Sequence, residues 1–202
     1  MENSKIAPSE LAMEQSWARH RRNIEASVIP GSGGVVFLGD SLTHIGRWET
    51  RYPGLRIHNF GIHGERSEHL LLRLAPVISL RPEKLFLLIG TNDLAVGCTL
   101  EETAANVASI LDQLGSALPG CRIYLQTMMP RAEKFAQRVK ALNAAYVELA
   151  QQRGLALIDL CPLFDDGRGA IRKDLSHDNV HLTELGYDVW RAALAPYLGV
   201  ES

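Results

Sequence analysis

Five short apolar runs, separated by stretches of helical spacing, constrain this chain more than any other feature. Val35-Val36-Phe37-Leu38 and Leu85-Phe86-Leu87-Leu88-Ile89 are continuously apolar, the pattern of strands buried on both faces of a parallel sheet. Leu55-Arg56-Ile57-His58-Asn59-Phe60, Arg122-Ile123-Tyr124-Leu125-Gln126 and Leu155-Ala156-Leu157-Ile158-Asp159-Leu160 complete the set. Between the third and fourth runs, Thr99-x-x-Glu102 reads as a capping box, in which hydroxyl and carboxylate satisfy orphan backbone donors. Val107, Ile110, Leu111, Leu114 and Leu118 follow it at helical spacing. Val139, Leu142, Tyr146 and Leu149 repeat that spacing, with Gly154 as a C-cap. A last helix starts near Thr183 and carries Leu185, Val189, Trp190, Ala193 and Leu194. An N-terminal helix over residues 9–27 places Leu11, Trp17, Ile24 and Val28 loosely on one side, and Pro30-Gly31-Ser32-Gly33-Gly34 ends it. Strands alternating with helices predict βαβ units and a parallel sheet, hence an α/β fold. The 202 residues fit one domain spanning 1–202, with a helical extension at about 9–28.

Ligands of open parallel sheets bind beyond the carboxyl ends of the strands, so the residues just after each run carry the functional information. Gly39-Asp40-Ser41-Leu42-Thr43 follows the first run and Asn59-Phe60-Gly61-Ile62-His63-Gly64 closes the second. Gly90-Thr91-Asn92-Asp93 follows the third, and Ser176-His177-Asp178-Asn179-Val180-His181-Leu182 precedes the last helix. Together they supply the parts of an acyl-transfer site. Ser41 lies on a tight turn into a helix, where a hydroxyl is exposed beside free backbone N–H groups. A serine hydroxyl needs a base at neutral pH, and His181 is the candidate. Asp178, three residues earlier, can take the other imidazole N–H and fix the tautomer. Asp165, Asp166 and Asp174 compete for that role from a polar loop. Gly61 can bring a backbone N–H close because it lacks a Cβ. Asn92 offers a neutral N–H donor to negative charge developing on an oxygen. Asp40, His63 and Trp48 are counted with the substrate-facing residues, with packing the alternative for Trp48 and the surface for His63; His44 and Arg66 could line the same pocket, and Met128 and Met129 read first as core filler and second as an apolar wall near the site. No serine sits in G-x-S-x-G, so the nucleophile elbow of the α/β-hydrolases is not supported.

Other chemistries find little here. With 21 Lys and Arg against 23 Asp and Glu, the net charge of −2 disfavours a nucleic-acid sleeve or a polybasic membrane anchor. Cys98, Cys121 and Cys161 form neither an even disulfide framework nor a CxxC pair, which favours a reducing compartment. His177 and His181 are four apart, but no Glu of the zinc-protease pattern and no third ligand accompany them, so no metal is expected. The N-terminus is polar and no apolar run approaches a membrane span, so the expected location is cytoplasmic.

Gly39-Asp40-Ser41-Leu42, Gly61, Gly90-Thr91-Asn92-Asp93 and Asp178-x-x-His181 resemble, in order, the four blocks of the SGNH (GDSL) hydrolases, over about residues 35–198. Within that superfamily, Asn59-Phe60-Gly61-Ile62, Glu68-His69-Leu70-Leu71-Leu72-Arg73-Leu74, Arg81-Pro82 and His181-Leu182-x-x-Leu185-Gly186-Tyr187 are most similar to the platelet-activating-factor acetylhydrolase catalytic-subunit type, whose bacterial relatives include short-chain and carbohydrate esterases. The resemblance implies a three-layer α/β/α fold, flavodoxin-like, with sheet order 2-1-3-4-5. It implies Ser41 as nucleophile, His181 as base and Asp178 as its partner. The Ser41 N–H, the Gly61 N–H and the Asn92 side chain would form an oxyanion hole, with Asp40 bracing the nucleophile turn. The implied reaction is hydrolysis of a small-molecule, short-chain ester through an acyl-enzyme, without cofactor. Relatives of this type pair, so a homodimer is an expectation by analogy. Ile62-His63-Gly64-Glu65-Arg66-Ser67 departs from the small or hydroxyl residues usual after Gly61, which touches substrate preference. Two other readings stand beside this one: a thioesterase or lysophospholipase on the same machinery, and a non-catalytic flavodoxin-like module binding a phosphate or nucleotide.

Overall fold

A computed structural model describes the backbone of residues 8–200 and the side chains of residues 17–200. Its elements run α1 (Pro8–Ser27), β1 (Val35–Gly39), α2 (Ser41–Ile45), α3 (Trp48–Arg51), β2 (Ile57–Gly61), α4 (Ser67–Leu71), α5 (Leu74–Leu80), β3 (Lys84–Leu88), α6 (Thr91–Val96), α7 (Leu100–Ala117), β4 (Arg122–Gln126), α8 (Ala136–Arg153), β5 (Ala156–Ile158), α9 (Cys161–Phe164) and α10 (Glu184–Leu198). The five strands are all parallel, in the order β2-β1-β3-β4-β5. Both the strand set and the order agree with expectation. The second strand starts two residues later than the apolar run that announces it, at Ile57 rather than Leu55.

The central strands β1 and β3 are buried on both faces, and alternate residues feed two cores. Val36, Leu38, Leu85 and Leu87 point into one core, with residues of α5, α7 and α8 and with Ile24 and Val28 at its margin. Val35, Phe37, Phe86 and Leu88 point into the other, with Trp48 of α3 and Tyr187, Trp190 and Leu194 of α10. The second core is aromatic: Phe37 stacks on Trp48 at 4.3 Å and on Phe86 at 5.2 Å, and Phe86 stacks on Tyr124 at 4.7 Å. The caps expected from sequence are present. Thr99 and Glu102 form the reciprocal box that opens α7, Gly154 caps α8, and the Thr183 hydroxyl accepts from Gly186 N at the start of α10. Leu11 lies outside the residues whose side chains are described.

Register is what makes a site. Gly39 of β1 pairs with Gly61 of β2 and Leu88 of β3, so three strands end level. The turns after them, at Asp40-Ser41, Ile62–Gly64 and Gly90–Asn92, emerge side by side. Among the described residues, no helix is long and apolar enough to cross a membrane, and no group of three or more His, Cys, Asp or Glu side chains is arranged to hold a metal ion.

Candidate active site

Ser41 is the first residue of α2, and Asp40 is its N-cap, with Oδ1 accepting from Leu42 N at 2.9 Å. This cap holds the turn while leaving the Ser41 amide as an orphan donor of the first helical turn. The Ser41 hydroxyl meets His181 Nε2 at 3.2 Å, across 140 residues of sequence. His181 Nδ1 lies 2.8 Å from Asp178 Oδ2. A carboxylate only accepts, so Nδ1 carries the proton and Nε2 is left to accept from the serine. Asp178 Oδ1 also accepts from His181 N at 2.7 Å and Val180 N at 3.0 Å. Partial burial pulls its carboxyl upward in pKa, but these bonds from His181 and Val180 outweigh it and hold the group below the usual aspartate range. The loop that carries both residues is closed by a bridge between Ser176 and Leu182 and by Ser176 Oγ donating to His181 O at 2.9 Å.

The competing carboxylates are accounted for elsewhere. Asp165 and Asp166 accept backbone N–H groups of their own loop, from Gly167 and Gly169 and from Arg168 and Ala170. Asp174 pairs with Arg172 at 2.6 Å.

On the β2 side, the Gly61 N–H donates to Asn59 Oδ1 at 3.0 Å, so the donor expected from it is spent two residues upstream. The absence of a Cβ at Gly61 serves packing instead: a Cβ there would stand 2.2 Å from His44 N, so this position lets α2 lie against β2. The next glycine is different. Gly64 sits at φ +70 in a turn closed by Glu65 N to Ile62 O at 3.3 Å, and its own N–H makes no hydrogen bond among the described residues. Sequence reasoning passed it over, although Asn-x-Gly is a pattern in which the asparagine side chain consumes the amide two residues on. Asn92 is half-buried, and its Nδ2 donates to Glu65 O at 2.9 Å, leaving the second amide hydrogen for another acceptor.

Two residues counted with the substrate-facing set do not face substrate. Trp48 is fully buried, meets Trp190 edge-on at 4.7 Å and donates from Nε1 to Thr43 O at 2.8 Å; it is a core residue, drawn inward by the aromatic stack on Phe37. Asp40 is 1% exposed, and its role is the cap. Burial pushes its pKa up to about 7, and the charges of Glu65 and Asp93 add to this against Leu42 N–H and Arg131. Arg66 turns away to Glu68 and His69. His63 is exposed at the rim, with its ring 4.3 Å from that of His44 and 6.0 Å from that of His20 on α1. His44 Nδ1 donates to Gly61 O at 3.1 Å. Burial holds both His44 and His63 below the ordinary histidine range, and for His63 the nearby imidazoles of His44, His20 and His181 lower it further.

Beneath the turns lies a buried polar layer that the sequence does not announce. Arg73 donates from Nε to Glu65 Oε1 at 2.6 Å and from Nη2 to Glu65 Oε2, to Phe60 O at 2.7 Å and to Gly39 O at 3.3 Å. It thus ties the ends of β1 and β2 to the segment that holds Asn92. Asp93 accepts from Ser67 N and Ser67 Oγ, which fixes the start of α4 against α6.

Comparison with known proteins places this arrangement in a family. Residues 37–189 match the GDSL-like lipase/acylhydrolase family. The chain is 30% identical over 166 residues to the alpha1 subunit of platelet-activating factor acetylhydrolase IB from Homo sapiens, covering 76% of this chain and 70% of that protein. A GDSL-like lipase from Bacteroides thetaiotaomicron superposes with a TM-score of 0.76 at 24% identity, over 91% of this chain and 97% of that one. An acetylxylan esterase from Geobacillus stearothermophilus superposes with a TM-score of 0.69 at 20% identity, over 85% and 97%. The chain therefore belongs to the GDSL-like lipase/acylhydrolase family and is a carboxylic ester hydrolase.

Proposed function

We propose that the protein is a serine esterase that cleaves short-chain esters, O-acetyl groups foremost, through Ser41, His181 and Asp178 and an acyl-enzyme. The observation that carries this reading is the continuous relay from the Ser41 hydroxyl to His181 at 3.2 Å and on to Asp178 at 2.8 Å. Ser41 Oγ attacks the ester carbonyl carbon as Nε2 of His181 takes its proton, and Asp178 steadies the imidazolium. The oxyanion is met by the Ser41 N–H and the Asn92 amide, with the unengaged N–H of Gly64 as third donor in place of Gly61. His181 then protonates the departing alcohol oxygen. A water molecule, deprotonated by the same nitrogen, attacks the acyl carbon, and Ser41 leaves with the proton returned to it.

The short acyl preference is supported by the hollows of the molecule. The space behind Asp40, Leu42 and Met129, about 10 Å³, is lined by neither Ser41 nor His181 and holds no acyl chain. Larger hollows of about 440 Å³ beside α8 and about 330 Å³ beneath α1 are lined by neither Ser41 nor His181. The relatives named for acetyl ester hydrolysis point the same way. The test is hydrolysis of p-nitrophenyl esters from acetate to palmitate by the protein and by Ser41→Ala. Turnover falling with chain length and absent in Ser41→Ala is expected. Equal rates for the two proteins would end the reading, and a preference for long chains would move it to a lysophospholipase or thioesterase.

A further inference from the structure

Arg131 follows β4 and belongs to none of the four motifs, yet it grips the Thr91–Asn92 turn and lines a space shared with Asp40 and Val180. Its Nη1 donates to the carbonyl oxygen of Thr91 and, at 3.1 Å, to Thr91 Oγ1. That carbonyl shares a peptide plane with the Asn92 nitrogen, so gripping it fixes the backbone from which the Asn92 amide projects. The arginine is itself held. Its carbonyl accepts from Ile171 N at 2.9 Å, and its guanidinium lies 4.6 Å over the Phe135 ring. Arg131 and Asp40 also line one small cavity of about 10 Å³, together with Leu42, Thr91, Met129 and Val180. Two buried polar atoms without partners, Arg131 Nε and Asp40 Oδ2, belong to the residues lining that space, whose size suits one water. The charge of Arg131 acts on Asp40 and on Asp178, favouring the ionised form of the first and being favoured by both.

We propose that Arg131 is a positioning residue for the reaction: it locks the Thr91–Asn92 turn in register with the Asp40–Ser41 turn and sets a cation beside Asp40. This inference rests on the reading of Ser41 and His181 given above. Arg131 touches no reacting atom and acts through Asn92 and Asp40. The other groups that bear on Asp40 are Glu65 before α4 and Asp93 on α6, both opposing its ionisation. Tyr146 on α8 and Tyr187 on α10 also face its charge, and their phenols are pushed upward by burial first and by that charge in addition.

Three substitutions separate the two roles. Arg131→Met removes donor and charge, Arg131→Gln keeps a donor without charge, and Arg131→Lys keeps charge without the planar fork. With p-nitrophenyl acetate, Arg131→Met is expected to lose about 100-fold in kcat, the cost of misplacing a site group by about 1 Å, with KM little changed. The acid limb of its kcat/KM profile moves to higher pH, because loss of the cation makes Asp40 harder to ionise. Arg131→Lys keeps the limb in place, and Arg131→Gln recovers part of kcat while the limb stays displaced. Thermal melts establish which variants are folded, and Arg131→Lys carries the test if Arg131→Met is not. A folded Arg131→Met with kcat unchanged, a loss confined to KM, or equal losses in all three variants with an unmoved limb would overturn the proposal. Absence of turnover in the unsubstituted protein would instead remove the esterase reading, so the two failures are distinct.

Discussion

The two halves of the site are built on opposite principles. Ser41 and its cap Asp40 are 5% and 1% exposed, seated on the level ends of β1, β2 and β3 above the Glu65–Arg73 pair. The side chains of His181 and Asp178 are 40% and 53% exposed, on a loop held by its own short hydrogen bonds. Ser41, the proposed nucleophile, is therefore positioned by the whole sheet, whereas His181, its proposed base, is positioned by a loop closed between Ser176 and Leu182. A change near Ser41 disturbs stability and chemistry together. A change at Asp178 touches chemistry alone, because exposed ion pairs contribute little to stability.

Asp178→Asn is the strongest way to break this comparison. It removes the acceptor that fixes the His181 tautomer, so kcat is expected to fall about 10⁴-fold while the melting temperature stays the same. A large drop in melting temperature would show that the loop is structural after all. Arg73→Met probes the other half. It strands the Glu65 carboxylate in the interior and is expected to cost about 3–5 kcal/mol of stability, read from denaturant unfolding. An unchanged midpoint would show that the layer beneath the turns does not anchor them.

Asp40→Asn sharpens the contrast through pH. Its folded pKa of about 7 lies above the ordinary aspartate value of 3.8, so the folded state holds this proton more tightly. The site therefore favours folding at low pH and withdraws that support as pH rises from about 4 to about 7. Asparagine keeps the Oδ1 cap without the charge. Above neutrality the variant is expected to be more stable than the parent by at most about 4 kcal/mol, with the difference vanishing near pH 4. A constant difference across that range would place the charge of Asp40 elsewhere.

Much of this was legible in the sequence because Ser41 and Asn92 sit directly behind apolar runs and Asp178 and His181 directly before the last helical pattern. Ser41, Asn92, Asp178 and His181 all fall where a parallel sheet brings chain segments together. What was not legible depends on direction and depth. Trp48 lies one turn beyond the nucleophile helix, and only the aromatic stack on Phe37 shows that it points into the core. Glu65 and Arg73 are eight apart, a spacing that marks no pair within a single helix, and their contact exists because the turn after β2 folds back over α4. Arg131 was invisible for the same reason: its partners Thr91 and Asp40 lie on neighbouring strand ends rather than on its own segment. Met128 and Met129 are core residues, one on each face of the sheet, and also line the small space behind Asp40.

The hydroxyl of Tyr187 on α10 donates to Leu42 O at 2.9 Å, so the last helix is latched to the short helix that begins with Ser41. The two ends of that latch lie 145 residues apart, and a contact between such distant residues forms only after long-range loop closure. Docking of α10 is therefore part of what holds the helix that begins with Ser41, the proposed nucleophile, and a chain whose terminal helix has not docked lacks that latch.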